Sequence, residues 1–289
     1  MKAKSIKSYI TIAAITVAGL SSCKKENIQP VKQVTAKESL EVVAVDQAIR
    51  NGLAYQTLNI ALAAISDNMG SFKNESSDNF LASCAVVTKD TSVFPHTINV
   101  DFGSGCTLDN GATVSGTISG TYTGGKIKST PGAQATLDFT NFHVNGNQVL
   151  GLMSFENLGA NGNSNAVISM DMTNGSMIYG SDGRQIRQNL QWEVELITNG
   201  TPQKEDDTYS FTGTADGVTS NGDAYTDQIT VPLIISRDPA CVKQFISGTT
   251  VAQIANNPDL TIDYGTGACD TEASATQNGS TVRIQLANY

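Results

Sequence analysis

The chain has 289 residues, 39% of them hydrophobic, and carries 27 acidic against 18 basic side chains for a net charge of −9. An acidic chain without a basic run repels phosphate backbones, which argues against nucleic acid as a partner. Two histidines and 6% aromatic residues leave little for a zinc site, or for an aromatic binding platform beyond the needs of the core.

The first stretch is basic (Lys2, Lys4, Lys7), then apolar from Ile10 to Leu20, then small. That order reads as a secretory signal, residues 1–22. The apolar run is short of the ~20 residues that cross a bilayer. Leu20-Ser21-Ser22-Cys23 resembles the lipobox of bacterial lipoproteins. The resemblance implies cleavage before Cys23 and acylation of its sulfur, as by palmitate, and of its new amino group. The expected partner is therefore a membrane, reached through lipid on Cys23. Residues 23–34 are polar, contain Pro30 and read as a tether. Lys24-Lys25 can touch anionic headgroups.

Thr35-Ala36-Lys37-Glu38 has capping-box spacing. A helical stretch is expected over 35–69, with Gly70 as its stop and Asn51-Gly52 as a point where it can break in two. Leu58, Leu62, Ile65 and Met69 share one face, and the alanines around them leave little polar surface. Such a helix is expected to be buried against something broad.

From Leu81 onward the period changes from helical to two. In Thr113–Thr123, Val114, Ile118 and Tyr122 point one way while threonines and serines point the other. Further runs around Ile98, Ile168, Trp192, Phe211, Ile229, Ile262 and Ile284 repeat the pattern. Asn-Gly at 110, 145, 161, 174, 199, 221 and 278, and Asp-Gly at 182 and 216, suit tight turns. The expected fold is mainly β: residues 81–289 form a large antiparallel meander, an open half-barrel or a sandwich, with the N-terminal helical segment packed on one face. Pro232 marks its strand as an edge or as bulged.

With Cys23 assigned to lipid, Cys84, Cys106, Cys241 and Cys269 remain. An even number in an exported chain without a Cys-x-x-Cys motif reads as two disulfides rather than a metal site. Two segments repeat one plan. Each has a cysteine, a strand, a turn with proline, a strand ending in Asp101-Phe102-Gly103 or Asp263-Tyr264-Gly265, a glycine loop and a second cysteine. A strand pair tied at its ends by Cys84–Cys106, and another by Cys241–Cys269, is the physical reading. Asp-Phe-Gly also spells a kinase signature, but no phosphate loop or catalytic loop accompanies it.

No catalytic constellation is legible. His96 lies in a proline turn and His143 on a strand beside Asn-Gly; no Gly-x-Ser-x-Gly elbow is present. Glu193 and Glu195 share the wet face of a strand. No metal or cofactor is expected. Thr97–Gly103 with Cys106, Ser115–Ile118, Tyr122–Gly124, Tyr209–Ala215, Pro232–Ile234 and Thr261–Gly265 with Cys269 resemble segments of Bacteroidota-type envelope lipoproteins. The resemblance implies attachment to the outer membrane, periplasmic or surface-facing, and no mechanism. Three readings follow. The first is a non-catalytic binding module for an apolar or polymeric ligand. The second is a structural, adhesive or fimbrial-subunit-like protein, and the third a hydrolase. A lined cavity beside the helix, or its absence, separates the first two.

Overall fold

The structure, a computed structural model, describes residues 36–65, 81, 84–108, 111–179, 183–200, 206–238, 241 and 244–286, with helix side chains from Leu40 onward. Cys23, Thr35 and the segment 66–80 lie outside the described residues.

Among the described residues the first element is α1 (Ala36–Ile65). It continues as β1 (Val86–Asp90), β2 (His96–Asp101), β3 (Cys106–Thr107), β4 (Thr113–Tyr122), β5 (Gln134–Val144), β6 (Asn147–Ala160) and β7 (Ala166–Ile178). The second half adds β8 (Gln185–Ile197), β9 (Thr208–Val218), β10 (Ala224–Ser236), β11 (Ser247–Ile254), β12 (Leu260–Thr266), β13 (Glu272–Gln277) and β14 (Ser280–Gln285). All pairings are antiparallel and follow chain order from β1 to β14, except that the two-residue β3 sits beside β4. The fold is one open, 14-stranded sheet with the helix packed against it.

The alternating strands form because each repeats an apolar residue every second position. In β8, Ile186, Leu190, Trp192 and Val194 are buried while Arg187, Asn189, Gln191 and Glu193 face out. Asn145-Gly146 and Asn278-Gly279 make the tight hairpin turns their sequence suits, with φ of 50° and 78° and of 48° and 74°. Two other such pairs do not turn the chain. Asn174-Gly175 lies inside β7 at a register shift, and Asp216-Gly217 lies inside β9. There the glycine serves close packing: a Cβ on Gly175 would stand 2.1 Å from the Gln188 carbonyl oxygen.

These irregularities line up. Register shifts occur at Ser115/Thr117 in β4, Asp138/His143 in β5, Leu150/Leu152 in β6 and Met172/Gly175 in β7. A bulge bends its strand and raises local twist, so a row of them curls the sheet. Pro232 stands in a second irregular region, where β10 shifts against both β9 and β11. β10 is interior to the sheet, so of the two readings of this proline the bulge is the observed one.

The curl explains the environment of α1. It touches β5 at one side and β12, β13 and β14 at the other. Leu40, Ala44, Leu53, Tyr55, Leu58, Ile60, Leu62 and Ile65 are each at most 3% exposed. Burial extends well past the single face expected from Leu58, Leu62 and Ile65. The helix also runs unbroken through Asn51-Gly52. A mid-helix glycine costs only about 1 kcal/mol, and Asn51 is itself buried and bonded to Tyr264 of β12. No helix among the described residues is long and apolar enough to cross a membrane.

Both cysteine-flanked modules are hairpins. Cys84 precedes β1 and is bonded to Cys106 of β3, with Cα atoms 5.6 Å apart; Cys241 precedes β11 and is bonded to Cys269 beyond β12, at 5.2 Å. In each, the aspartate of the Asp-aromatic-Gly tripeptide caps its own turn. Oδ1 of Asp101 accepts from the Gly103 amide and Oδ1 of Asp263 from the Gly265 amide, both at 2.8 Å. Phe102 and Tyr264 turn into the core.

Candidate functional site: the polar seat of the helix

The concave side of the sheet is filled by α1. Toward the helix C-terminal half the filling is aromatic and aliphatic. Tyr55 meets Phe211 of β9 and Phe245 edge-on or tilted at 5.9 Å, and Phe245 in turn meets Tyr264 at 5.4 Å and Trp192 at 6.4 Å. Burial, and then the nearby Tyr209, push the Tyr55 phenol well above its ordinary value, although Asn59 donates to its oxygen at 2.8 Å.

One turn earlier the contact becomes polar. Asp46, Gln47, Arg50 and Asn51 recur at helical spacing on the side facing β8 to β12, and each is at most 7% exposed. Asp46 accepts from Arg184 Nη1 at 2.9 Å and from Ser220 Oγ at 2.7 Å, and its carbonyl from the Tyr179 hydroxyl at 3.4 Å. Gln47 donates to Oδ2 of Asp227 on β10. Asn51 donates to the Tyr264 hydroxyl at 3.1 Å. The Arg50 guanidinium lies 3.8 Å from the centre of the Tyr225 ring, a cation–π contact out of water. Burial pushes the Asp227 carboxyl up to about 6, against the opposing pull of Arg50 and of the Asn51 and Gln47 amides. Burial likewise raises the phenols of Tyr179 and Tyr225.

The outer surface carries the other sequence candidates. His96 bonds through Nδ1 to the Val93 carbonyl at 2.8 Å and stands between Phe94 and Tyr122. His143 bonds through Nδ1 to the Asn141 carbonyl at 2.7 Å and stands across from Ser115, in an open groove of ≈ 450 Å³ also lined by Ser104 and Thr107. Among the described residues no hydrogen bond links Ser115 to His143, and no carboxylate lines the groove. The geometry therefore supplies a serine and a histidine without the contact that would activate the nucleophile. Glu193 points to solvent, and Glu195 is held by the Asn161 and Asn165 side chains, each at 2.7 Å. Among the described residues no group of three or more histidine, cysteine or acidic side chains could hold a metal ion.

The seat around Arg50 and Asp227 is absent from the sequence expectations. A signal exists: Asp227 falls at an inward position between Tyr225 and Ile229, and the polar helix residues share one side of an otherwise apolar segment. No family model, curated protein or solved structure matches the chain.

Proposed function

We propose that the protein is a non-catalytic binding module of the cell envelope, held at the outer membrane through lipid on Cys23, that takes an extended hydrophilic polymer along the outer face of its sheet. The observation that supports this reading is the occupied interior: the space where a half-barrel carrier would keep an apolar ligand contains α1. The outer face is what the fold leaves for recognition. Cross-strand partners there run in one unbroken polar row, Thr121, Thr136, Ser154, Asp171, Gln191 and Thr214, from β4 to β9. Adjacent strands lie about 4.8 Å apart, so the row offers hydroxyl, amide and carboxylate groups at a regular interval to a chain of repeating polar units.

Retention on insoluble neutral polysaccharides and on purified peptidoglycan, with Thr136→Arg and Thr214→Arg as row-breaking variants, tests the reading. Loss of retention in the variants is expected. Uptake of a fluorescent fatty acid by the intact protein, with no retention on any polymer, would overturn it in favour of an interior site. A structural or adhesive role is the second reading, favoured by the free edges of β1 and β14, each of which pairs on one side only among the described residues.

A further inference from the structure

Seven buried side-chain atoms at the seat of α1 have no hydrogen-bond partner among the described residues. They are Oε1 of Gln47, Nε and Nη1 of Arg50, Oδ1 of Asn51, Oε1 of Gln188, Oδ1 of Asp227 and Oγ1 of Thr250. Their side chains come from α1, β8, β10 and β11, and every one of these residues is at most 5% exposed. Buried polar groups in native proteins are almost always satisfied, and each one left bare costs its full dehydration. So many in one place would consume much of a domain's net stability.

Small residues neighbour these groups. Asp227 is flanked in the sheet by Ala215 on β9 and Ala252 on β11, and Tyr225 by Gly217 on β9. On the helix, the buried Ala44 lies one turn before Gln47 and the buried Ala54 one turn after Arg50. Small side chains therefore stand beside the unsatisfied ones. The chemistry narrows the occupant. A cation would suit the five oxygens but meet the Arg50 guanidinium. An anion would suit Arg50 but meet the Asp227 carboxylate and the amide oxygens. A neutral molecule that both donates and accepts fits all seven atoms, and water is the smallest.

We infer that the seat of α1 is a binding site for ordered water, enclosed between the helix and β8 to β11, whose molecules bridge Arg50 and Asn51 to Gln188, Asp227 and Thr250. The helix is then keyed to the sheet partly through solvent. Direct bonds such as Gln47 to Asp227 are one part of the lock and bridging waters the other. This inference does not rest on the proposed ligand of the outer face.

Water-to-amide cross-relaxation by NMR, read at the side-chain amides of Gln47, Asn51 and Gln188 in the processed chain, tests it. Long-lived water contacts at these amides are expected in the wild type. They should be lost in Ala252→Leu, whose added carbons stand beside Asp227 from β11, while contacts elsewhere persist. If that variant does not fold, Ala215→Leu fills the same space from β9. Absence of long-lived water at the three amides of the wild type overturns the inference, as does its persistence in a folded, filled variant.

Discussion

Asp227→Asn puts the energetics of the helix seat to a direct measurement. The carboxyl is 5% exposed, and its burial outweighs the attraction of Arg50, so its pKa stands at about 6 in the fold. A free aspartate titrates near about 3.9. The folded state therefore holds this proton more tightly than the unfolded chain does. The sign follows: the contribution to stability is fully present below about pH 4 and is lost as pH rises through about 6. A gap of roughly two pH units corresponds to about 3 kcal/mol at neutral pH. Asparagine keeps the shape and an acceptor for Gln47 without the charge, so the variant should gain up to about 3 kcal/mol at pH 7.5 and little at pH 4, with bridging water lowering the gain. Urea unfolding of both proteins at several pH values between 4 and 7.5 gives the difference, and titrations shared by the two cancel. A loss of stability at pH 7.5 would refute the reasoning. It would mean that the Arg50–Asp227 attraction exceeds the dehydration of the carboxylate, and that the seat is an ion pair that needs both partners.

Leu62 is 2% exposed at the centre of the filled interior, so Leu62→Ala should cost ~2–5 kcal/mol in chemical denaturation; an unchanged midpoint would mean that α1 is not part of the cooperative core. Cys23→Ala should leave either an unprocessed protein or an exported one that stays in the aqueous phase on detergent partition, and partition of that variant into detergent at the processed mass would remove the lipid anchor from the account.

Strand residues were the most legible part of the fold, because alternation is a local signal. The run from Thr113 to Thr123 declares its buried and wet faces without reference to any partner. The repeated Asp-aromatic-Gly tripeptides were legible as strand ends for the same reason, each capping its own turn two residues on. Asn174-Gly175 was not, since the same dipeptide serves a tight turn or a bulge, and only the neighbouring backbone of Gln188 decides which. The degree of helix burial was hidden too. It depends on how far the sheet curls, and the curl depends on bulges in four adjacent strands acting together. The helix seat needed both pieces at once. Arg50 is an unremarkable surface arginine in the sequence until the sheet closes around it beside Tyr225.

The order in which the partners of α1 are made has a consequence for biogenesis. Each strand of the meander pairs with a neighbour in the chain, so the sheet can zip as it emerges, one hairpin after another. The helix is the exception: it is synthesised before every described strand, yet its contacts extend to β14, the last of them. Throughout synthesis the segment around Leu53, Leu58 and Leu62 must wait, apolar on nearly every side, for more than half of the chain to arrive. Truncation that removes β13 and β14 should therefore leave this helix uncovered and prone to aggregation.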